Sequence, residues 1–314
     1  MSTQQGGCKK IGCFGCFGCL GLMMIVLVTC AVIFGIASSM ARNEQIEQRV
    51  LTQLLPSGAT SATESDPTLE PEGPQVSAAG TLILDLEGTF FQIEPAAPGE
   101  PMRVEAEFDT NTYDLRERFR EALGDEGWIY EVEFGRPSRS YGVTLLKEAL
   151  ADSRPEITIY LPRDVPFDLE FRIAQGGSEL ELGGLALGTA DLDFNQGGGS
   201  VEFSEPLAQP MDSLSVSFTQ GGGAIDGIGN ASPRRLVVGF SMGGGFVGLE
   251  GPWRNDAEIS LRQRMGGMSV QLPSNVIVRG IPRPGFEPPS DTEVPLPVLR
   301  IKTSKQYGDI EILD

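Results

Sequence analysis

The chain has 314 residues, a formal net charge of −19 and no histidine. A chain this acidic is poorly suited to nucleic acid, whose phosphates are also negative. Because histidine is the commonest general base and the commonest transition-metal ligand, its absence excludes a Ser-His-Asp or Cys-His mechanism.

The first long feature is an uncharged apolar run between Lys10 and Arg42. About 20 apolar residues suffice to cross a bilayer, so we predict a transmembrane helix at residues 20–41. Two lysines precede the run, and the charges just after it balance. The positive-inside rule then places residues 1–19 in the cytoplasm and the C-terminal part outside the cell membrane. A signal peptide cleaved near residues 37–39 is the alternative.

All five cysteines lie in or before this run, at Cys8, Cys13, Cys16, Cys19 and Cys30. In a soluble loop, the CxxC spacing of GCFGCFGC would suit zinc or an iron–sulfur cluster. Here Phe and Gly separate the cysteines, so we interpret them as small residues packing at the membrane boundary, with acylation or metal binding as alternatives. The rest of the chain has no cysteine and must be stabilised by its core rather than by disulfides.

Residues 42–79 are predicted to link the membrane segment to a folded domain. Their first part, ARNEQIEQRVLTQLLP, is compatible with a short juxtamembrane helix. The remainder is rich in Pro, Ser, Thr and Glu and buries too little apolar surface to fold, so we predict a disordered stalk. The extracytoplasmic domain is then residues 80–314.

Glycine clusters recur along this domain. Glycine makes up 40 of the 314 residues, well above the usual ~7%. The first glycines of five clusters are spaced 21 to 24 residues apart, at Gly176, Gly197, Gly221, Gly243 and Gly266. Apolar residues alternate on both sides of each glycine, as in a strand with one buried face, although Gln263 interrupts one column. Each unit is predicted to be a strand, a glycine corner and a second strand.

One such unit cannot bury its apolar face alone, whereas stacked units can. We therefore predict a mainly β chain, a single-stack β-solenoid of ~22-residue glycine-cornered repeats. Residues 81–94 and 299–313 have the same form and extend the stack. MRVEAEF and WIYEVEF are predicted strands, and a helical insertion at about 112–124 is predicted to cap an open end. The Pro-rich segment 281–297 is predicted to be a loop.

Residues about 156–280 resemble the toast-rack and LiaF-like β-repeat domains of bacterial cell-envelope proteins. The resemblance lies in PEITIYLPRDVPFDLEFRIAQGG, which opens the repeats, and in GPWRNDAEISLRQRMGGMSVQLPSNVIVRG, which closes them. It implies a stacked β-solenoid, and some members of the family act in envelope-stress signalling beside a membrane kinase. Those signalling proteins have a multi-helix membrane domain, whereas this chain has one predicted membrane segment.

The glycines do not predict a nucleotide site or any other cofactor site. Gly243, Gly245 and Gly248 satisfy GxGxxG, but LEGPWR follows, which cannot begin the helix that a dinucleotide fold requires. Carboxylates alternate with apolar residues in the repeats, at Glu179, Glu181, Asp191, Asp193, Glu202 and Asp226. We interpret them as an outward polar face, and we predict that the protein is not an enzyme and binds no metal. Carboxylate-based polysaccharide cleavage is the alternative.

Positive charge is concentrated late in the chain. Residues 230–305 contain ten basic and six acidic residues. The candidate patch for an anionic envelope polymer or partner consists of Arg234, Arg235, Arg254, Arg262 and Arg264. Scattered, solvated arginines are the alternative interpretation.

Together these patterns favour a non-enzymatic, single-pass membrane protein whose extracytoplasmic β-solenoid is a cell-envelope interaction or stress-sensing module. Its expected partners are the membrane, another envelope protein or itself, and an anionic polymer, but neither nucleic acid nor nucleotide. Two alternatives remain: a scaffold or adhesin that self-associates through strand edges, and a carbohydrate-active β-helix enzyme.

Overall fold

The computed structural model describes residues 26–29, 46–53, 55, 80–121, 127–137, 155–281 and 296–313. Residues 26–29 are helical. The rest of the predicted transmembrane helix, the cytoplasmic tail, all five cysteines and most of the predicted stalk lie outside the described residues. Within the described ranges, no helix combines the length and the apolar character needed to cross a membrane.

Contacts between residues divide the chain into two compact units. One joins residues 1–45 with 138–153, and the other joins residues 46–137 with 154–314. Only residues 26–29 of the first unit are described, so the fold that follows is that of the second unit.

The second unit is built from strands, which confirms the prediction of a mainly β chain. Its described residues form one 14-stranded sheet. The strands are β1 (Ile46–Gln53), β2 (Gly80–Leu86), β3 (Thr89–Pro95), β4 (Met102–Asp109), β5 (Asp114–Glu121), β6 (Trp128–Gly135), β7 (Glu156–Leu161), β8 (Phe167–Glu181), β9 (Leu187–Glu202), β10 (Ser213–Asp226), β11 (Arg235–Gly248), β12 (Ala257–Gln271), β13 (Ile277–Arg279) and β14 (Val298–Leu313). A short helix, Ile228–Ala231, follows β10.

The glycine repeats form a parallel stack in the order β8, β9, β10, β11, β12 and β14. Each of these long strands passes through its glycine corner, and we call the parts before and after that corner the first and second arms. Both arms pair with the corresponding arms of the next strand, so the apolar columns of successive units meet inside. The columns aligned in the sequence are therefore neighbours in space.

The corner glycines also lie side by side in the stack. Gly176 pairs with Gly197, and Gly221 pairs with Gly243. All five first glycines have φ between 117° and 129°, which L side chains rarely adopt. A Cβ atom on Gly243 would also overlap the carbonyl oxygen of Gly221. The corner thus needs glycine both for its backbone conformation and for the close approach of successive turns.

The flanking segments 81–94 and 299–313 join the stack as predicted. β2 and β3 pair with the first and second arms of β8, with Gly88 between them at φ 97°. β14 pairs with β12 through both arms. On the other side of β2 and β3 lie β6 and β7, also parallel. Antiparallel strands follow: β5 on β6, β4 on β7, and β1 on β4.

Two helix predictions are wrong. The helical insertion at about 112–124 contains β5, and the short juxtamembrane helix contains β1. Leu115 and Phe119 are four residues apart, a spacing that fits one helix face and also alternates correctly in a strand. The open edges of β6 and β4 decide the outcome, because a strand satisfies their backbone groups and a helix cannot. β1 also lies within residues 42–79, so folded structure begins before residue 80.

A row of phenylalanine rings fills the core beside the corners. Phe194 and Phe218 stack with ring centroids 4.4 Å apart, and Phe218 and Phe240 with centroids 4.7 Å apart. Each ring lies under the third glycine of its own cluster: a Cβ atom on Gly223 would overlap the ring of Phe218. Phe194 with Gly199 and Phe240 with Gly245 repeat this arrangement. The third glycine therefore makes room for a ring.

Candidate functional site

The outer face of the first arms is a flat surface with charges at both ends. Register rows cross it from strand to strand, and one runs Arg172, Asp193, Ser217, Gly239, Arg262 and Ser304. A second row runs Glu170, Asp191, Ser215, Val237, Ser260 and Lys302. Arg172 on β8 pairs with Glu170 of the same strand at 3.1 Å. The other charged residues of these rows are acidic on β8 and β9 and basic on β12 and β14. Small side chains on β10 and β11 separate the two.

We define the basic surface as Arg262 and Arg264 on β12 together with Lys302 on β14. All three side chains are exposed, and none forms an ion pair with a residue that the structure describes. Arg262 and Arg264 are two residues apart on one strand, so both point outward. Lys302 is the register partner of Ser260, which brings it beside Arg262. Three like charges without counter-charges favour an anionic ligand.

Three other predicted arginines contribute less. Arg254 donates from Nη1 to the Leu207 carbonyl oxygen at 3.0 Å and from Nη2 to the Asn230 carbonyl oxygen at 3.3 Å. Its guanidinium therefore ties together the loops beside the stack. Arg234 lies 3.7 Å from Asp212, and Arg235 has Glu258 as its register partner.

Lys302 is among the ten basic residues of the segment 230–305 but not in the patch predicted from the sequence. Lys302 lies 40 positions after Arg262 in the chain, and the Pro-rich segment between them hides their proximity. The signal was available in the glycine alignment: Gly308 is the register partner of Gly266, which places Lys302 six residues before its corner, on the outward face.

An exposed row runs along the corner beside the basic surface. It holds the residue before each first glycine, and its register partners include Gln220, Met242, Met265 and Tyr307. Met242, Met265 and Tyr307 are exposed large hydrophobic residues, and Arg264 precedes Met265 directly. We call these three residues the corner ridge, and it gives the basic surface an apolar border.

Several of the acidic side chains stabilise turns. Glu181 Oε1 accepts hydrogen bonds from the Gly183 N–H at 2.6 Å and the Ser204 N–H at 3.2 Å. Asp226 Oδ1 accepts from the Gly227 N–H at 2.8 Å. Glu179 and Glu202 line a surface recess with Glu94. No group of three or more potential ligand residues in the described ranges could hold a metal ion.

The nucleotide-like GxGxxG match has a structural explanation. Gly243 is a corner glycine, and Gly245 accommodates the ring of Phe240. Residues 249–256 form a loop rather than a helix, so the helix N-terminus that binds phosphate in dinucleotide folds does not follow. Gly248 is buried within the stack.

Comparisons with solved structures found strand-rich proteins at low sequence identity. A "putative cell adhesion protein" of Clostridium sporogenes is 12% identical, with a TM-score of 0.41 over 85% of this chain and 99% of its own. A "putative adhesin" of Bacteroides fragilis is 11% identical, with a TM-score of 0.36 over 86% of this chain and 97% of its own. No protein-family model and no curated protein matches the sequence.

Proposed function

We propose that the protein is a non-enzymatic binding module of the bacterial cell envelope, anchored by a single membrane-spanning segment at residues 20–41. In this proposal the second unit is an extracytoplasmic β-solenoid of the toast-rack kind, and it holds an anionic envelope polymer. The observation that carries it is the basic surface, where Arg262, Arg264 and Lys302 are exposed without a counter-charge among the described residues.

The outer face would hold a polymer at its basic end, away from the acidic residues of β8 and β9. Adjacent strands are ~4.8 Å apart, so Asp193 on β9 lies about 14 Å from Arg262 on β12, three strands away. This distance exceeds the Debye length of ~8 Å at physiological ionic strength. A polyanion can therefore contact the basic surface without strong repulsion from the acidic half. The small side chains of β10 and β11 leave the face flat enough for a linear chain.

The corner ridge adds an apolar component to this site. Met265 and Tyr307 are register partners beside Arg264. Sugar rings and acyl chains both present apolar surface to such residues, whereas a simple ion does not. The ridge thus favours a polymer that carries C–H surface between its charges over a free inorganic anion.

The test measures binding of the full chain in detergent to poly(glycerol phosphate) across a salt series. We expect binding at 50 mM salt that weakens steeply with added salt, and at least tenfold weaker binding for Arg262→Glu combined with Arg264→Glu. Arg116→Glu with Arg118→Glu on β5 is the matched control, because these exposed arginines are also two residues apart on one strand. Salt-insensitive binding, or equal losses in both variants, would contradict the proposal. Binding to phosphatidylglycerol vesicles but not to the polymer would also contradict it.

A further inference from the structure

β14 is the last long strand of the stack, and its outer edge is largely open. In the described part of the chain, β13 pairs with it only at Val298–Arg300. Gly280, which follows β13, still lies against the Ile301 carbonyl oxygen. The backbone N–H and C=O groups on that side of residues 302–313 meet no described strand. Such an edge is a template for another strand.

Proline is frequent in the neighbouring segment of the same chain, which lies outside the described residues. Residues 282–295 contain five prolines, and proline cannot donate a hydrogen bond to a strand ladder. The apolar column inside the stack also stops at this edge, where Ile310 and Ile312 are only partly buried against the core. Tyr307 at the corner is 74% exposed.

The two arms of β14 carry opposite charges. The first arm has Lys302 and Lys305, and the second has Asp309 and Glu311. Lys305 and Asp309 pair with each other at 2.7 Å, so Lys302 and Glu311 are the two of these charges that form no ion pair in the described chain. Two copies of β14 paired in parallel would place like charges together, whereas antiparallel pairing places each basic arm against an acidic arm. Opposite charges across a strand pair stabilise it, and like charges destabilise it. The charge pattern therefore selects the antiparallel arrangement of two identical strands.

We propose that β14 pairs antiparallel with β14 of a second copy of this chain, about a two-fold axis between Gln306 and Tyr307. Lys302 then faces Glu311 of the other copy on the outer face. Thr303 faces Ile310 on the inner face, and the paired strand covers the partly buried end of the apolar column. A register shifted by two residues would set Lys302 against Asp309, which already pairs with Lys305 at 2.7 Å, so the pairing with Glu311 is favoured.

This pairing closes on itself. An interface that uses the same surface on both copies is satisfied in a dimer and leaves no free β14 edge for a third chain. The inference therefore differs from an open-ended scaffold, and it does not depend on polymer binding by the basic surface. A single strand pair buries less area than a standard interface of ~800 Å² per partner. Confinement of both copies to one membrane would raise their effective concentration and favour the dimer.

Cross-linking of the full chain, with its five native cysteines replaced by serine, tests the register. The double variant Lys302→Cys with Glu311→Cys is expected to give a covalent dimer with a short bis-maleimide. Each single variant is the control, because its two cysteines would lie nine residues apart along the strand pair, about 30 Å before the bend is considered. Equal cross-linking of single and double variants, no cross-linking, or a ladder of larger oligomers would overturn the proposal.

Charge exchange provides a second measurement that folding defects cannot imitate. Lys302 and Glu311 form no ion pair within the described chain, and both are exposed. We expect Lys302→Glu and Glu311→Lys each to weaken dimerisation about tenfold by light scattering in detergent. Mixing the two variants should restore a heterodimer, because each then faces an opposite charge. Failure of the mixture to recover would refute the antiparallel pairing. Glu311 is outside the basic surface, so a lost dimer with retained polymer binding in Glu311→Lys would leave the proposed function intact.

Discussion

The contact between the third glycine of a cluster and a phenylalanine ring predicts how alanine in that position changes the stability of the fold. In an ordinary strand, replacing glycine by alanine stabilises the fold by roughly 0.5–1 kcal/mol, because glycine loses more backbone freedom on folding. At Gly223 we expect the opposite sign. The new Cβ atom would overlap the ring of Phe218 and lie 2.8 Å from the Gly199 carbonyl oxygen.

The Phe218 ring cannot shift away from the new Cβ atom, because other rings pack on both of its faces. It is held between Phe194 and Phe240, at centroid distances of 4.4 and 4.7 Å. Overpacking of this kind costs about 1–3 kcal/mol. With a urea m-value of ~2 kcal/mol/M, the midpoint of unfolding for Gly223→Ala should fall by about 0.5–1.5 M.

The assay is urea unfolding of residues 46–314, followed by the fluorescence of Trp128 and Trp253, which are both buried. Gly239→Ala is the matched control, because an added Cβ there meets nothing within 4 Å. In the Phe218→Ile background the ring overlap is gone and the close approach to the Gly199 carbonyl oxygen remains, so Gly223→Ala should cost less, with a coupling energy of about 1–2 kcal/mol. The overlap with the Phe218 ring would be refuted if Gly223→Ala were as stable as Gly239→Ala. It would also be refuted if Gly223→Ala cost as much stability in the Phe218→Ile background as in the original protein.

Three further predictions concern the core, a glycine corner and a buried tyrosine. Phe218→Asp should abolish cooperative unfolding in the same fluorescence assay, because it places a carboxylate in the ring column; a cooperative variant would contradict the column. Gly243→Val should lower the unfolding midpoint, because valine would be strained at this φ and its Cβ atom would overlap the Gly221 backbone. An unchanged midpoint would contradict the corner geometry. Burial, together with the hydrogen bond to Glu117 at 2.6 Å, raises the pKa of Tyr130 above its usual 10, so this group stabilises the fold below pH 10 and less as the pH rises further. Tyr130→Phe should flatten that alkaline loss of stability, measured as unfolding midpoint against pH.

The stack was predictable because its two features are visible in a single sequence. Apolar residues alternate with a period of two, and the glycine clusters recur at a nearly constant spacing. The pairing of Phe218 with Gly223 also follows a sequence pattern, in which a phenylalanine stands five residues before the third glycine. This contact could not be predicted from strand geometry alone, because residues five apart face each other only when the strand turns at its corner. β8 and β12 support the relation: the same two positions hold Ile173 with Ser178 and Gln263 with Met268, so the third glycine is absent where the ring is absent.

β1 and β5 could not be recognised from local pattern. A spacing of four between Leu115 and Phe119 fits a helix and a strand equally, and the choice depends on the distant strands that they complete. The candidate patch was partly predictable for a similar reason. Arg262 and Arg264 share one strand and stayed together, whereas the role of Arg254 depends on carbonyl groups that lie 24 and 47 residues away in the chain.

The position of β1 has a consequence for proteolysis. β1 precedes the Pro- and Ser-rich stretch and pairs with β4, so that stretch connects two parts of one folded unit. A cut within residues 56–79 would not by itself release the domain from the proposed N-terminal anchor. The two fragments would remain joined by the hydrogen bonds of one eight-residue strand, and shedding would be governed by the rate at which that strand peels from β4.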